Sequence, residues 1–458
     1  GSAMEMVLEF LRDVLSQPAL LIGIMSCIGL IALKRPFHKI MTGTLKPILG
    51  YLMLAAGAGV IVSNLDPLGK MIEHGFHITG VVPNNEAIVA VAQKVLGVET
   101  MSILVVGLLM NLCIARFTKF KYVFLTGHHS LFMACLMSAV LGTAGLSGME
   151  LILVGGFLMG AWSAISPAIG QSYTSKVTDG DEIAIGHFGS LGYYLSAWVA
   201  KYVGKAEDST EDIEIPEKWG FLRDSTLSTA LTMIVFYLIA AFAAGSEFVA
   251  TLSGDMSPYL YAVMSAMNFA VGVTIVYSGV RMILGDLIPA FQGIATKIIP
   301  NAIPAVDCAV FFTYAPTAVV LGFLSSFIGG IIGMLILGAV GGVLIIPGLV
   351  PHFFCGATAG IYGNATGGRR GAAVGAFLNG LAITFLPALA LPVLGQLGFQ
   401  NTTFGDADFA VMGLVLGNAY EWVGMAGIYG IVAIAALVLI VPNFIKTKGK
   451  VINYVEED

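Results

Sequence analysis

Long apolar runs, separated by short polar segments, repeat along most of this 458-residue chain. A run of about 20 apolar residues crosses a hydrocarbon core of roughly 30 Å as an α-helix, since each residue adds about 1.5 Å. The pattern therefore predicts an all-α polytopic membrane protein, a single unit over residues 4–458 with about eleven transmembrane helices. The predicted spans are residues 15–33, 43–63, 97–115, 129–143, 148–168, 226–245, 258–280, 308–328, 329–349, 372–393 and 410–441.

Several segments depart from simple spans. Residues 5–14 predict a short helix before the first span, and the last span is long enough to contain a break near Gly424–Gly427. Residues 169–223 mix polar, glycine-rich and acidic stretches, with an amphipathic part near 193–202. Residues 281–307 are semi-apolar and punctuated by prolines, which predicts a re-entrant hairpin. A membrane tolerates such a hairpin only where protein or a cavity satisfies its backbone.

The composition agrees with a chain that faces lipid rather than water. Hydrophobic residues make up 57% of the sequence and charged residues 11%, with a mean hydropathy of +0.89. Soluble domains carry roughly 25% charged residues. The 57 glycines fit close helix packing or broken helices in a bilayer. A membrane β-barrel would need alternating segments of about ten residues, which the sequence lacks. No nucleic-acid partner is expected.

Basic residues test the arrangement of the spans, because they favour the cytoplasmic side of a membrane. Each basic cluster follows an odd-numbered predicted span, which places the N-terminus outside and the C-terminus in the cytoplasm and requires an odd number of spans. The clusters are Lys34, Arg35 and Lys39; Arg116, Lys119 and Lys121; Lys176, Lys201, Lys205, Lys218 and Arg223; Arg281; Arg369 and Arg370; and Lys446, Lys448 and Lys450.

Sequence signatures of catalysis and metal binding are missing. There is no GxxxxGK[S/T] phosphate-binding loop, nucleophile elbow or HExxH motif. The cysteines are isolated, without CxxC or Cys/His ligand spacing, and are interpreted as small core residues. They are Cys27, Cys113, Cys135, Cys308 and Cys355. The chain is expected to move a ligand rather than to transform it, with no metal, cofactor or catalytic residue of its own. Residues Gly1–Ala3, ahead of Met4, are interpreted as a cloning remnant.

Ionisable groups at membrane depth are costly and mark functional sites by default. His128 and His129 open the fourth predicted span. As a functional pair they would donate hydrogen bonds to a polyhydroxy or anionic ligand at a helix start, where backbone N–H groups are also free. As a structural pair they would lie at the membrane interface, solvated by lipid headgroups.

Three further groups have the same two interpretations. The Asp307 carboxylate can accept two hydroxyl hydrogen bonds from a sugar-like ligand, or it can pair with Arg281 or cap a helix. His187 follows a polar run and is either a ligand donor or a satisfied loop histidine. Glu421, inside the last span, is interpreted as a structural hydrogen-bonding group at the helix break.

Several strings together resemble one family over nearly the whole chain. They are Leu125–His128, Val177–Gly180 with Ile185–His187, Ala305–Ala309, Phe312–Phe323 and Ile345–Gly368. These strings are similar to those of the L-ascorbate-specific permeases of the phosphoenolpyruvate-dependent phosphotransferase system, the enzyme IIC components of the UlaA/SgaT type. The resemblance implies a homodimer in the bacterial cytoplasmic membrane, with a core domain that moves against a scaffold domain. It also implies that L-ascorbate is phosphorylated as it enters, by soluble phosphorylated IIA and IIB partners.

The resemblance also implies a set of substrate-binding positions. They are Asn85, Glu86, His128, His129, Ser130, Leu131, Phe132, His187, Phe188 and Asp307. Of these, His128, His187 and Asp307 match the family's residues, whereas Asn85, Glu86, Phe132 and Phe188 stand where Thr, Tyr and Gln side chains are expected. The hypothesis is that Asp307 accepts hydrogen bonds from substrate hydroxyls while His128 and His187 donate to the enolate oxygens. An ion-coupled secondary carrier of a small organic anion is the main alternative, and a channel is the third.

Overall fold

The computed structural model describes residues 1–81, 83, 85–396, 403–445 and 451–453, and for residues 86–97, 223, 395 and 396 it describes the backbone alone. Most of these residues are helical. The helices are α1 (Ser2–Leu15), α2 (Pro18–Ala32), α3 (Phe37–Gly75), α4 (Asn85–Phe117), α5 (Gly127–Thr143), α6 (Gly148–Ile169), α7 (Gln171–Thr178), α8 (Ser190–Val203), α9 (Ser225–Ala244), α10 (Ser246–Ser253), α11 (Pro258–Lys297), α12 (Pro316–Ala339), α13 (Leu349–Gln396), α14 (Ala407–Val423) and α15 (Met425–Ile440).

Within the described ranges, eight helices are long and apolar enough to cross a membrane, or nine if α1 and α2, which meet at a bend of 84°, form one span. The all-α polytopic class is therefore confirmed, whereas the predicted number of eleven spans is not. The predicted helix at 5–14 is α1, and the amphipathic part near 193–202 lies in α8. The predicted break in the last span is also confirmed, since α14 ends and α15 begins on either side of Gly424, whose φ is +69°.

Two predictions about helix ends were wrong. Residues 281–297 do not form a re-entrant hairpin; they continue α11 as one 40-residue helix. The helix contains Pro289, because the carbonyl that a proline leaves without a donor can be satisfied by neighbouring groups in a membrane protein. The predicted spans 308–328 and 329–349 are likewise not two helices. A 3-10 segment (Cys308–Tyr314) is followed by a single helix, α12, and the chain is irregular before α13 begins.

The chain reverses direction inside α13, so this element consists of two helical arms, 349–367 and 369–396. Gly368 has a non-helical conformation with φ +63°. A Cβ built on Gly363 would lie 2.5 Å from the carbonyl oxygen of Gly371, although eight residues of straight helix span about 12 Å. The predicted span at 372–393 is the second arm, and the first arm was not predicted as a helix.

The structure also contains three short parallel strands that the sequence analysis does not predict. They are β1 (Tyr122–Phe124), β2 (Ala184–Ile185) and β3 (Ile303–Val306), in the order β1-β3-β2. Tyr122 pairs with Ile303, and Ile185 pairs with Val306. Every residue of the three strands is buried. The strands join segments that are far apart in sequence, and that is why local hydropathy gives no sign of them.

The helices pack in two groups. Helices α2, α3, α9, α10 and α11 contact one another. Helices α4 to α8 and α12 to α15 form the second group, in which α4 and α6 contact β1 and α7 contacts β2. In the first group α3 and α11 run antiparallel in close contact, because glycines let their backbones approach. A Cβ on Gly279 would lie 2.6 Å from the carbonyl oxygen of Gly50, and one on Gly57 would lie 2.7 Å from that of Gly272.

Candidate functional site

The three parallel strands bring the sequence-predicted polar residues together. β1 leads through two residues into α5, which carries His128 and His129 in its first turn. β2 ends two residues before His187, and β3 ends directly before Asp307. The carboxyl ends of parallel strands lie at the same edge of a sheet. Four candidates from three distant segments therefore meet at one edge.

This edge borders a cavity of about 880 Å³, whose opposite wall is α3. The volume lies within the usual range of roughly 300–1,000 Å³ for small-molecule sites. Its polar wall includes Tyr51, His128, His129, His187, Asp307 and Asp406. The lining continues along α3 as far as Glu73, so the cavity is elongated along this helix.

Asp307 is held by a residue that the sequence did not indicate. The Tyr51 hydroxyl donates to Asp307 Oδ2 at 2.8 Å, and His128 Nε2 lies 3.8 Å from the same oxygen. Of the two structural alternatives, the helix cap is not formed, because Asp307 precedes the 3-10 segment without a capping hydrogen bond from its side chain. The pairing with Arg281 is not observed either, since this guanidinium donates to Ser278 Oγ.

The hydrogen bonds of two histidine rings fix which nitrogen carries the proton. His129 Nδ1 accepts from the Phe188 amide at 3.1 Å. His187 Nδ1 lies 3.3 Å from the Gly189 amide nitrogen and 2.8 Å from the Tyr193 hydroxyl. A neutral imidazole whose Nδ1 accepts a hydrogen bond carries its hydrogen on Nε2. Both rings, whose centroids are 3.9 Å apart, therefore present Nε2–H as a donor.

The same hydrogen bonds decide what kind of ligand these rings suit. Among the described residues, two sets of side chains each have their potential metal-ligand atoms within 4.8 Å of one another. One set is His129, His187 and Asp406, and the other is His187, Asp307 and Cys308. A histidine that binds a metal through Nε2 needs its proton on Nδ1. Here Nδ1 of both rings faces a backbone N–H. The arrangement therefore suits ligand oxygen atoms better than a metal ion.

Asp406 is a second polar residue of the cavity wall that sequence reasoning missed. It is 6% exposed, accepts from Cys355 Sγ at 2.8 Å and from Asn85 Nδ2 at 3.3 Å, and its Oδ2 lies 3.7 Å from His129 Nε2. The side-chain oxygen of Asn85 in turn accepts from the Gly405 amide at 2.9 Å. Asp406 precedes α14 in a short polar stretch, so the sequence gives it the appearance of a loop residue.

The other predicted positions differ in their surroundings. Phe132 lines the cavity, whereas Leu131 is partly buried in the core around α5. Phe188 is fully buried and stacks on Phe124 with ring centroids 4.6 Å apart, so its backbone amide rather than its ring serves the site. The side chain of Glu86 lies outside the described residues.

Neither Ser130 nor Glu421 lines the cavity. Ser130 is buried, and its Oγ has no partner within the described part of the chain. Its amide donates to the Thr126 carbonyl at 3.1 Å, so only the residues before it in the first turn of α5 can offer backbone N–H groups to a ligand. Glu421 is exposed near the end of α14 and does not line the cavity.

Comparison with known proteins identifies the family. Residues 13–408 match EIIC-GAT, described as "PTS system sugar-specific permease component". The chain is also 28% identical over 417 residues to the "Ascorbate-specific PTS system EIIC component" of Mycoplasma pneumoniae, with 78% of this chain and 62% of the relative covered. The chain thus spans less than two thirds of the length of that curated relative. From the match over most of its length, the chain belongs to the EIIC-GAT family of sugar-specific permease components of the phosphotransferase system.

Proposed function

We propose that this permease imports L-ascorbate and exposes it to a soluble phosphorylated IIB partner, which is recharged by IIA from phosphoenolpyruvate. Family membership supports a phosphotransferase-system sugar permease in the bacterial cytoplasmic membrane. The name of the Mycoplasma relative supports ascorbate as the substrate. The phosphoryl group would pass from IIB to a substrate hydroxyl, which loses its proton. This chain would contribute no phosphoryl-transfer residue.

The convergence of donors and an acceptor at one edge of the sheet carries the proposal. Ascorbate is a small monoanion with several hydroxyl groups. The Nε2–H groups of His187 and His129 can donate to enolate oxygens, with His128 close to Asp307 on the same wall. Asp307 has accepting positions left beside the one that Tyr51 uses, because a carboxylate offers about four lone-pair sites. Donors without a fixed positive charge suit a ligand that must also be released.

Transport requires the site to face each side of the membrane in turn. In the proposed mechanism, the helices around the small sheet form the core domain that carries the substrate. Helices α2, α3 and α9 to α11 form the scaffold, on which the homodimer is built. The glycine contacts between α3 and α11 make the scaffold a rigid support. The division into a scaffold and a core, and the homodimer, are inferred from the resemblance to the ascorbate permeases.

Uptake of labelled ascorbate into right-side-out vesicles distinguishes the three transport classes. The vesicles are prepared with and without phosphoenolpyruvate and the soluble IIA and IIB proteins inside, and the general cytosolic proteins that pass the phosphoryl group to IIA are present throughout. The proposal expects ascorbate phosphate to accumulate only with all three present. Accumulation of free ascorbate that depends on a proton or sodium gradient would contradict it in favour of a secondary carrier. Flux far above carrier rates would contradict it in favour of a channel.

Asp307 provides the test of the site itself. Asp307→Asn keeps the shape but replaces one accepting oxygen by an amide that must face the Tyr51 hydroxyl or the substrate. Because a hydrogen bond to a charged group contributes about 1.5–3 kcal/mol, ascorbate should bind at least tenfold more weakly. Asp255→Asn, in the exposed turn before α11, is the matched control. Wild-type affinity in purified Asp307→Asn and Asp307→Ala proteins would exclude Asp307 from the site.

A further inference from the structure

One hydrogen bond joins the two helix groups at the centre of the site. The Tyr51 hydroxyl on α3 donates to Asp307 Oδ2 at 2.8 Å across a separation of 256 residues in sequence. Tyr51 is 6% exposed and lines the cavity. It belongs to the group that contains α3 and α11, whereas Asp307 follows the central strand of the other group.

Both ends of this hydrogen bond are fixed to rigid elements. Gly50, the neighbour of Tyr51, contacts α11 so closely that a Cβ there would lie 2.7 Å from Met282 Cβ. On the other side, the end of β3 is held by the amide of Gly186, which donates to the Val306 carbonyl at 2.8 Å. The bond therefore depends on the position of one group relative to the other, rather than on a mobile loop.

The cavity opens toward one end of α3. Its lining follows α3 from Tyr51 to Glu73, about 33 Å at 1.5 Å per residue, and Asp66 and Lys70 on this path are exposed. The opposite end of α3 follows the basic pair Lys34–Arg35. Basic residues beside a span favour the cytoplasm, so the cavity opens away from the cytoplasmic side.

We propose that Tyr51 is a positioning residue that holds Asp307, and with it the substrate site, against α3 in the outward-open state. The inference rests on the proposed alternating-access transport. A hydrogen bond made in only one of two states biases their equilibrium by its own strength. Removal of the hydroxyl in Tyr51→Phe shifts the equilibrium toward the inward-open state by about tenfold to a hundredfold, as a bond to a carboxylate implies.

Cys308 lies next to Asp307 and borders the cavity, although the residue is only 1% exposed, and its labelling is the first of two measurements of this equilibrium. The full-length protein is treated with a small membrane-impermeant thiol reagent in right-side-out and in inside-out vesicles, and peptide mass spectrometry isolates the labelling of Cys308. The ratio of outside to inside labelling cancels the reactivity of the thiol itself. This ratio falls about tenfold to a hundredfold in Tyr51→Phe. The ratio of the apparent ascorbate affinity at the outer face to that at the inner face falls by the same factor. This second ratio measures the equilibrium if Cys308 reacts slowly.

Two controls separate this role from a structural one. Tyr277→Phe changes a tyrosine of α11 that is also 6% exposed, and its hydroxyl has no partner among the described residues, so the ratio stays at the wild-type value. In an Asp307→Asn background, Tyr51→Phe changes the ratio little further, because the charged acceptor is already absent. An unchanged ratio in Tyr51→Phe, or fully additive effects, overturns the proposal for Tyr51. If wild-type vesicles produce no ascorbate phosphate, it is instead the proposed function that fails.

Discussion

Substitution of His187 tests whether the rings donate through Nε2. Asparagine places an oxygen near the former Nδ1 and keeps an acceptor for the Gly189 amide and the Tyr193 hydroxyl, but it has no group at the position of Nε2. Glutamine reaches the position of Nε2 and keeps a donor there. The lost hydrogen bond to an anionic ligand contributes about 1.5–3 kcal/mol, which corresponds to roughly a tenfold to hundredfold change in Kd. We expect His187→Asn to lose this much affinity and His187→Gln to lose clearly less.

The assay is calorimetric or equilibrium binding of ascorbate to protein purified in detergent. His38→Asn is the matched control, because this histidine is exposed near the start of α3 and does not line the cavity. Thermal unfolding of each variant separates loss of binding from loss of folding. Stronger binding by His187→Asn than by His187→Gln would refute the assignment of the proton to Nε2. Equal and wild-type affinity in both variants would remove His187 from the site.

Three further predictions concern stability and are read from the thermal midpoint in detergent. Gly293→Ala should destabilise the protein by about 1–3 kcal/mol, because its Cβ would lie 1.9 Å from the carbonyl oxygen of Gly29. Gly285→Ala is the control on the same helix and should not destabilise the protein, because a Cβ there would have nothing within 4 Å. Equal effects of the two substitutions would contradict the packing of Gly293 against Gly29. Asp408→Asn should cost about 1–3 kcal/mol, because this buried carboxylate accepts from a serine hydroxyl and a backbone amide at the start of α8, whereas the exposed Asp255→Asn should be neutral. Reductant should leave the midpoint unchanged, since all five cysteines are free, and a shift would indicate a disulfide.

Part of the site could be predicted because an ionisable side chain is conspicuous in an apolar chain. His128, His187 and Asp307 were selected on that ground and on their sequence context, and all three line the cavity. Tyr51 gave no comparable signal, since a tyrosine inside a long apolar helix is ordinary. Its role depends on a contact with Asp307 across 256 residues, which no local pattern records. Asp406 was missed for a related reason, because a polar residue before a helix resembles a loop residue.

The errors in the spans have one physical cause. Hydropathy measures how well a segment tolerates an apolar environment, and lipid tails and protein interiors are similarly apolar. α5 is as apolar as a membrane span, yet most of its 17 residues are buried inside the protein. The apolar run at 308–349 likewise does not reveal where its helix begins and ends. The reversal at Gly368 needs a positive φ, which glycine permits but its presence alone does not predict.

The positions of the basic clusters do not depend on the number of predicted spans. Two pairs of the predicted clusters lie close together in the structure. The Arg369 amide donates to the Asp208 carbonyl at 2.9 Å, close to Lys201 and Lys205 in sequence. Lys119 Nζ donates to the Ile445 carbonyl at 3.0 Å, just before the last basic cluster. The side of the membrane that these clusters face stays a prediction.

By itself the sequence determined that the protein lies in a membrane and which costly polar groups it carries there, because both depend on residue type alone. It therefore specified an all-α membrane protein and most of the polar side chains of its candidate site. Only the tertiary structure decided how those groups come together: three buried parallel strands align histidines and a carboxylate at one edge, and α3 adds Tyr51 from the other helix group. The physical reason is that hydrogen bonds and strand pairing are satisfied between distant segments, whereas hydropathy is a property of each segment separately.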